Sequence, residues 1–331
     1  MIEVLIDDFE FGNLVGSNGH TDPVAYAPID IARGAITVYR PWAPETMLRS
    51  LMEHASSVLQ ILALLDDGMT GPLGFSGVGP MQTSPLYDVL DPTEKGNASY
   101  RIATGTAHLC AQDLLDIHQL GHFDRLRDAG LATLVTGHSR PDLVGQDDQK
   151  NWAVVEAKGR SNSVTTADVD SAKRQVENVA LVGEAPALMG PPLWRVASLT
   201  DLAKNPIKVT FVDPPPDETR EATVITVDPI SLVRGYYSLV DAAAEYTGPV
   251  QPLPGQPDVL GARLPGSTVW IGLAQPVRDA LKGPDDGLQE RLAGTRSDMQ
   301  SRRAATPAPT GEDRRTSVGP DGFVLHLDLA T

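Results

Sequence analysis

A chain of 331 residues with 41% hydrophobic content has enough apolar material to fill one large core or two ordinary ones, which excludes an intrinsically disordered chain. A formal charge of −16 argues against a protein that coats nucleic acid through its long-range field, although it leaves room for a local basic groove. The one cysteine, Cys110, excludes a disulfide framework and a cysteine-rich zinc site, and it fits a reducing, cytoplasmic setting.

The opening MIEVLIDDFEFG carries acids where a signal peptide needs a basic region, and no stretch reaches the roughly 18 apolar residues of a membrane span. No membrane partner is expected. Ile2 to Ile6 reads as a strand and Ala35 to Tyr39 as a second, ahead of the Arg40-Pro41-Trp42 break. From about Pro44 to Leu65, apolar Leu48, Leu51, Met52, Ala55, Leu59, Leu62 and Ala63 recur at helical spacing. Residues 68–100 are rich in Gly, Pro and Ser and read as a long connection or irregular subdomain, with a boundary near residue 100.

A helix is predicted over Thr106 to Leu120, with Leu109, Cys110, Leu114 and Ile117 on one face, then a helical turn at Phe123 to Asp128. Strands follow at Leu131 to Thr136, Pro141 to Val144 and Asn151 to Lys158, the last two forming an antiparallel hairpin across Gly145 to Lys150. Thr165 and Asp168 have capping-box spacing ahead of a helix whose inward face is Val169, Ala172, Val176 and Val179. Strands at Trp194 to Ala197 and Ile207 to Val212 complete an α/β pattern.

Beyond the proline-rich DPPPDE, a strand at Ala222 to Val227 and a helix near Ser231 to Ala244 are expected. Residues 247–268 read as a loop, Val277 to Arg303 as a polar helical segment, and Phe323 to Leu329 as a closing strand. The acidity is unevenly spread: residues 1–100 hold 13 acids against 4 bases, residues 101–180 hold 11 against 9.

The segment RPDLVGQDDQKNWAVVEAKGRSN carries the chemistry. Successive side chains alternate along a strand, so Glu156 and Lys158 leave the sheet on one face while Ala157 points to the other. With a hairpin turn centred near residue 149, Asp142 sits across from Glu156. Asp142, Glu156 and the Ala157 carbonyl could then hold Mg²⁺, or Mn²⁺, with positions left open for a phosphate oxygen. Such an ion lowers the pKa of a bound water and offsets charge building on phosphorus, and Lys158 would orient that water or stabilise the transition state. Arg140, Arg160, Lys173 and Arg174 lie around this segment as candidate phosphate contacts. The bland alternative is a solvated hairpin whose Glu156 and Lys158 form an exposed ion pair.

Pro-Asp opening one strand, Glu-x-Lys ending the next, and the flanking helix and strand order resemble the PD-(D/E)XK, restriction-endonuclease-like nuclease superfamily over roughly residues 105–212. The resemblance implies a fold class: an α/β restriction-endonuclease-like core at 101–213, with a mixed central sheet flanked by helices. An N-terminal α/β extension (1–100) and a C-terminal extension (214–331) would adjoin it. It implies a metal-dependent nuclease acting on nucleic acid, DNA before RNA, with Asp142, Glu156, Lys158 and Gln175 catalytic and defence or repair as the setting. Many members add a carboxylate from the first helix to the metal. Asp113 and Asp116 are the candidates, with Asp113 preferred because it lies beside the Cys110 and Ile117 face. The alternative from another class is an inactive module of the same fold that binds a protein partner through its acidic surface.

Other features carry less. His118 and His122 have the spacing of a helical metal pair, but Gly121 interrupts them. GFSGVG at 74–79 lacks the residues of a nucleophile elbow or phosphate loop and reads as a turn. Pro257-Asp258 precedes no Glu-x-Lys strand. Tyr236 and Tyr237 read as packing residues rather than base-stacking ones.

Overall fold

The computed structural model describes residues 1–9, 18–38, 40, 44–67, 79–138, 140–184, 189–217, 219–305 and 315–328. The chain opens with the antiparallel pair β1 (Ile2–Asp7) and β2 (His20–Val24), then α1 (Pro28–Thr37) and α2 (Met47–Leu64). A short pair, β3 (Leu65–Asp66) and β4 (Gln82–Thr83), and the one-turn α3 (Pro85–Asp88) lead to α4 (Pro92–Leu115). The middle runs β5 (Gln119–His122), α5 (Phe123–Asp128), β6 (Ala132–Thr136), β7 (Leu143–Gln146), β8 (Trp152–Arg160), α6 (Thr166–Val176), β9 (Val179–Gly183), β10 (Trp194–Asp201) and β11 (Lys208–Val212). It continues through β12 (Thr223–Val227), α7 (Pro229–Tyr237), α8 (Leu239–Thr247), β13 (Gln251–Leu253), β14 (Gln256–Arg263) and β15 (Val269–Ala274). Helices α9 (Gln275–Leu281) and α10 (Leu288–Ala305) precede the final strands β16 (Thr316–Val318) and β17 (Phe323–Leu327).

The central sheet is mixed, in the order β2-β1-β11-β10-β8-β7-β5, with β8 parallel to β10 and β1 parallel to β11. A crossover helix is what a parallel neighbour requires, and α6 supplies it between β8 and β10. The Thr165 hydroxyl accepts from the Asp168 amide and Asp168 reaches back to the Thr165 amide, so the expected capping box starts α6. On one face Ala153, Val155 and Ala157 pack with α4 and α1, and on the other Ala197 and Leu199 pack with Ala172 of α6. Two smaller sheets, β6-β12-β9 and β13-β14-β15-β17-β16, complete the β structure among the described residues, beside the β3-β4 pair. No helix among the described residues is long and apolar enough to cross a membrane.

Several expectations need correcting. Ala35 to Tyr39 is not a strand: Pro28–Thr37 is helical, because Ile29, Ala32 and Ile36 bury at helical spacing and Asp30 caps the Ala27 amide. Tyr39 lies outside the described residues, as do 68–78, most of the GFSGVG turn and Leu329. The boundary near residue 100 falls inside α4, which the Asp91 and Glu94 capping box and Pro92 at the first helical position start well before Thr106. That helix ends at Leu115, and Gln119–His122 is an edge strand of the central sheet paired with β7. The strand near Leu131 to Thr136 belongs to a separate sheet. Helix α2 is present but turned: Leu51, Ala55, Val58, Ile61 and Leu64 are buried, while Leu48, Met52 and Leu59 are exposed. Residues 247–268 contain β13 and β14 instead of a loop, and the Ser231 to Ala244 helix breaks at Ser238 into α7 and α8. The segments outside 101–213 are not appendages, since β1 pairs with β11 and one apolar core runs from Ile2 to Leu327.

Helices α1 and α4 cross where Gly34 faces Gly105, and a Cβ on Gly105 would fall against the Ile31 carbonyl and the Ala35 amide nitrogen. Gly105→Ala is therefore expected to lower stability by about 1–3 kcal/mol, despite alanine's better helix propensity. Urea unfolding checks this, and an unchanged or higher midpoint would contradict the close crossing.

Candidate active site

Strand β8 sits near the middle of the sheet, and its partner β7 is shorter, so the ladder opens beside the second half of β8. The β7-β8 pairing sets Leu143 opposite Val155 and Val144 opposite Val154, and one further step sets Asp142 opposite Glu156. The connecting turn is held by Asp147, whose Oδ1 accepts from the amides of Gln149 and Asn151. Where the ladder opens, Asp142 Oδ2 takes the place of a main-chain acceptor and receives the Ala157 N–H at 3.0 Å. The Asp142 carbonyl in turn accepts from the Phe123 amide at 2.8 Å, fixing it against the start of α5. In an extended strand a residue's N–H and C=O leave by the same edge, so the Ala157 carbonyl also faces this gap.

Glu156 is 3% exposed and shares its face of β8 with Lys158. The ammonium Nζ of Lys158 lies 2.6 Å from Glu156 Oε1 and donates at 2.6 Å to Gln175 Oε1 on α6. The other oxygen, Glu156 Oε2, is sealed from solvent and has no hydrogen-bond partner. Burial, and then the charge of Asp142, pushes the Glu156 carboxyl up to about 7 against the pull of Lys158. Asp142 is also raised, by burial first, with the Ala157 N–H and Lys158 opposing. The pair is thus short of positive charge. Among the described residues no cluster of three or more His, Cys, Asp or Glu is placed to hold a metal. A divalent cation here would rest on two carboxylates, the Ala157 carbonyl and waters, a set that suits a hard ion such as Mg²⁺. The orphaned Oε2 and the mutual repulsion of the carboxylates fit such an ion.

Comparison with protein-family models, curated proteins and solved structures finds no match. The site stands on its own geometry.

Asp142, Glu156, Lys158, Gln175 and the Ala157 backbone are brought together. Asp113 is not: it is exposed on α4 and its Oδ2 accepts from the Tyr26 hydroxyl at 2.7 Å. The α4 residue near the carboxylates is Tyr100, whose hydroxyl is pushed up to about 12 by burial and by Asp142. At 1.5 Å per residue, Asp113 lies roughly 20 Å further along the helix. Asp116 is the C-cap of α4 and faces the charge of Asp148 instead.

The expected phosphate contacts are mostly engaged elsewhere. Arg140 lies 3.6 Å from Asp124, Arg160 2.5 Å from Asp168, and Lys173 2.5 Å from Asp8. Arg174 is exposed on α6, with its carbonyl taken by Arg220. His118 is buried beside Arg296 and Asp148, whereas His122 ends β5 and meets the Tyr100 hydroxyl at 3.0 Å through Nε2, so the two form no metal pair. Tyr236 and Tyr237 are buried and bonded to Asp321, as packing residues.

Sequence reasoning missed Arg40 and Tyr100 at this site, and weighed His122 only as half of a helical metal pair. Arg40 is within electrostatic reach of both Asp142 and Tyr100. It had been read only as part of a chain break, and no local pattern ties it to a strand a hundred residues on.

Proposed function

We propose that the chain is a metal-dependent nuclease that hydrolyses phosphodiester bonds at Asp142, Glu156 and Lys158, on DNA in preference to RNA. One observation carries the reading: a buried carboxylate with an unpartnered oxygen faces a half-buried one across an opened ladder, beside a lysine fixed by a glutamine. The order α4, β5, β7, β8, α6, β10 supports a restriction-endonuclease-like core within the mixed sheet, because it repeats the helix and strand order of that superfamily. A cytoplasmic setting, in defence or repair, belongs to the same proposal.

Asp142, Glu156 and the Ala157 carbonyl would hold Mg²⁺ or Mn²⁺. When bound, the ion supplies an acidified water and offsets charge on the phosphate. Lys158, pinned between Glu156 and Gln175, orients the attacking water or offsets the negative charge that develops on the phosphate oxygens. Gln175 acts by positioning that ammonium. Gln175→Leu is expected to lower kcat about 10–100-fold with little change in KM, the usual scale for a supporting residue behind a metal site. Asp113→Asn should leave cleavage and metal dependence unchanged. Steady-state kinetics on both variants checks this, and a Gln175→Leu enzyme with wild-type kcat would remove the glutamine from the mechanism.

A second reading, a catalytically inactive module that binds a protein partner, is favoured by the tyrosine that α4 presents where a carboxylate would add a metal ligand. Incubation with linear, circular and single-stranded DNA and with RNA, in Mg²⁺ or Mn²⁺ and in EDTA, separates the two. The nuclease reading expects metal-dependent products from at least one substrate, and intact substrates in every condition favour the second.

A further inference from the structure

We propose that the cleft at the turn end of the β7-β8 hairpin is a docking site for a basic segment of a partner protein, one that carries lysine or arginine beside apolar side chains. The site is separate from the candidate active site and stands whether or not that site cuts nucleic acid. Gln146 opposite Trp152 closes the ladder at this end, whereas Asp142 and Glu156 lie at the other, roughly 13 Å away at the usual strand rise.

The cleft has a volume of about 920 Å³, within the range of binding pockets. Four separate parts of the chain wall it: the hairpin turn, the stretch entering β10, the start of α7, and the turn after α9 with the first residues of α10. Each wall is fixed by its own bonds. Gln289 donates to Gln146 at 2.8 Å and Lys150 meets Glu290 at 2.7 Å, tying α10 to the hairpin turn. Main-chain bonds of 2.8 and 3.1 Å between Val182 and Gly190 hold the stretch entering β10. Asp228 caps α7 by accepting from the Ile230 and Ser231 amides at 3.1 Å. Arg234 donates to the carbonyls of Leu281 and Gly283, and Arg291 to those of Pro284 and Asp286, so both guanidiniums brace the turn after α9.

The floor is apolar, with Trp152, Met189, Pro191, Pro229 and Ile230. Trp152 is 7% exposed and belongs to the core cluster of Val144, Val154 and Phe123. Its indole N–H donates to no group among the described residues, yet it is not sealed in, as the unpartnered indole nitrogens of Trp194 and Trp270 are. The one polar atom of a buried side chain on the cleft is thus left open to it, and a peptide carbonyl is the acceptor it lacks. The rim is acidic: Glu184, Asp285, Asp286 and Glu290 line the cleft against Lys150. Asp285 is held by Arg234 at 2.5 Å and Glu290 by Lys150. The carboxylates of Glu184 and Asp286 have no cation within 4.0 Å among the described residues. Such a rim repels phosphate, so a nucleic-acid strand does not suit it. An apolar floor beside unmatched carboxylates is complementary to a polypeptide that brings cations and apolar side chains together.

The test uses the full chain and an array of end-blocked nonapeptides in which lysine or arginine alternates with leucine, isoleucine or proline, beside a matched array with glutamate for each base. Binding is followed by the indole N–H resonance of Trp152, assigned with Trp152→Phe, and by titration across a salt series. Basic peptides are expected to shift that resonance saturably and to bind about tenfold more weakly to a Glu184→Gln, Asp286→Asn double variant, while the glutamate peptides leave it unmoved. Asp22→Asn with Asp258→Asn removes the same charge at positions outside the cleft and should keep wild-type affinity. All four carboxylates are exposed, so both double variants spare the fold. Equal weakening in the two double variants would reduce the effect to net charge and overturn the site. So would the absence of a shift with every basic peptide, or a single-stranded oligonucleotide that shifts the Trp152 resonance in their place. Peptide binding of the expected kind by a chain that cuts nothing would leave the docking site standing while the nuclease reading falls.

Discussion

Glu156→Gln is expected to abolish metal-dependent cleavage and at the same time to stabilise the fold above pH 7. The loss of activity should reach at least about 10²–10³-fold, the scale on which removal of one preorganised charged group acts, and Lys158→Ala should match it. The stability effect follows from linkage. A free glutamate titrates near 4.5, whereas burial and Asp142 bring Glu156 to about 7 in the folded chain. Between those values the folded chain holds a proton that the unfolded chain has lost, so stability falls as pH rises through the window, by up to roughly 3 kcal/mol. Asp142, raised for the same first reason, adds to the fall. A neutral glutamine removes the Glu156 contribution, so the variant's stability should be much flatter from pH 4.5 to 7 and higher than wild type at pH 8. Urea unfolding over that range measures it. An equal slope in both proteins would contradict a Glu156 carboxyl raised by burial and by Asp142. Sites that trade stability for a charged constellation commonly behave in this way.

Asp321→Ala is expected to be the most destabilising single change outside the site, by about 3–5 kcal/mol, because it leaves a buried arginine without its counter-charge. Asp321 is fully buried, and its carboxylate faces Arg33 at 3.7 Å, takes the Tyr236 hydroxyl, and accepts the Phe323 amide at 3.2 Å. Arg33 is also buried and donates to Ser317 at 2.9 Å and Gln112 at 3.2 Å, while Ser317 continues to Asp30 at 2.6 Å. The network therefore joins α1 and α4 to α7 and to the turn between β16 and β17. Removing both charges together, as Arg33→Met with Asp321→Ala, should cost less than the two single changes summed. A loss under 1 kcal/mol for Asp321→Ala would show that the network contributes little to folding.

How much of this was legible in the sequence depends on how local each feature is. Glu156 and Lys158 share a face through a two-residue alternation, and the hairpin register followed from the turn between them, so Asp142 opposite Glu156 could be read directly. Gln175 was placed by resemblance, on a helix whose cap and buried Ala172 and Val176 were themselves legible. Asp113 failed because α4 has no apolar stripe to fix its facing. Residues from Ile102 to Ala111 are buried all round, so periodicity could not tell which side meets the sheet or where along the helix the site lies. The short β5 was hidden behind the helix it follows. β13 and β14 were hidden by Pro252, Pro254, Gly255 and Pro257, which read as loop residues although edge and terminal strand positions tolerate them. Arg40 illustrates the remaining limit, since its place beside Asp142 comes from tertiary packing alone.

The most direct measurement is Mn²⁺ binding at pH 8, followed by electron paramagnetic resonance, in wild type and Glu156→Gln. An ion held by Asp142, Glu156 and the Ala157 carbonyl predicts saturable binding in wild type that the variant loses. Equal binding in the two proteins, or none in wild type with nucleic acid present, would contradict a metal centre at this hairpin.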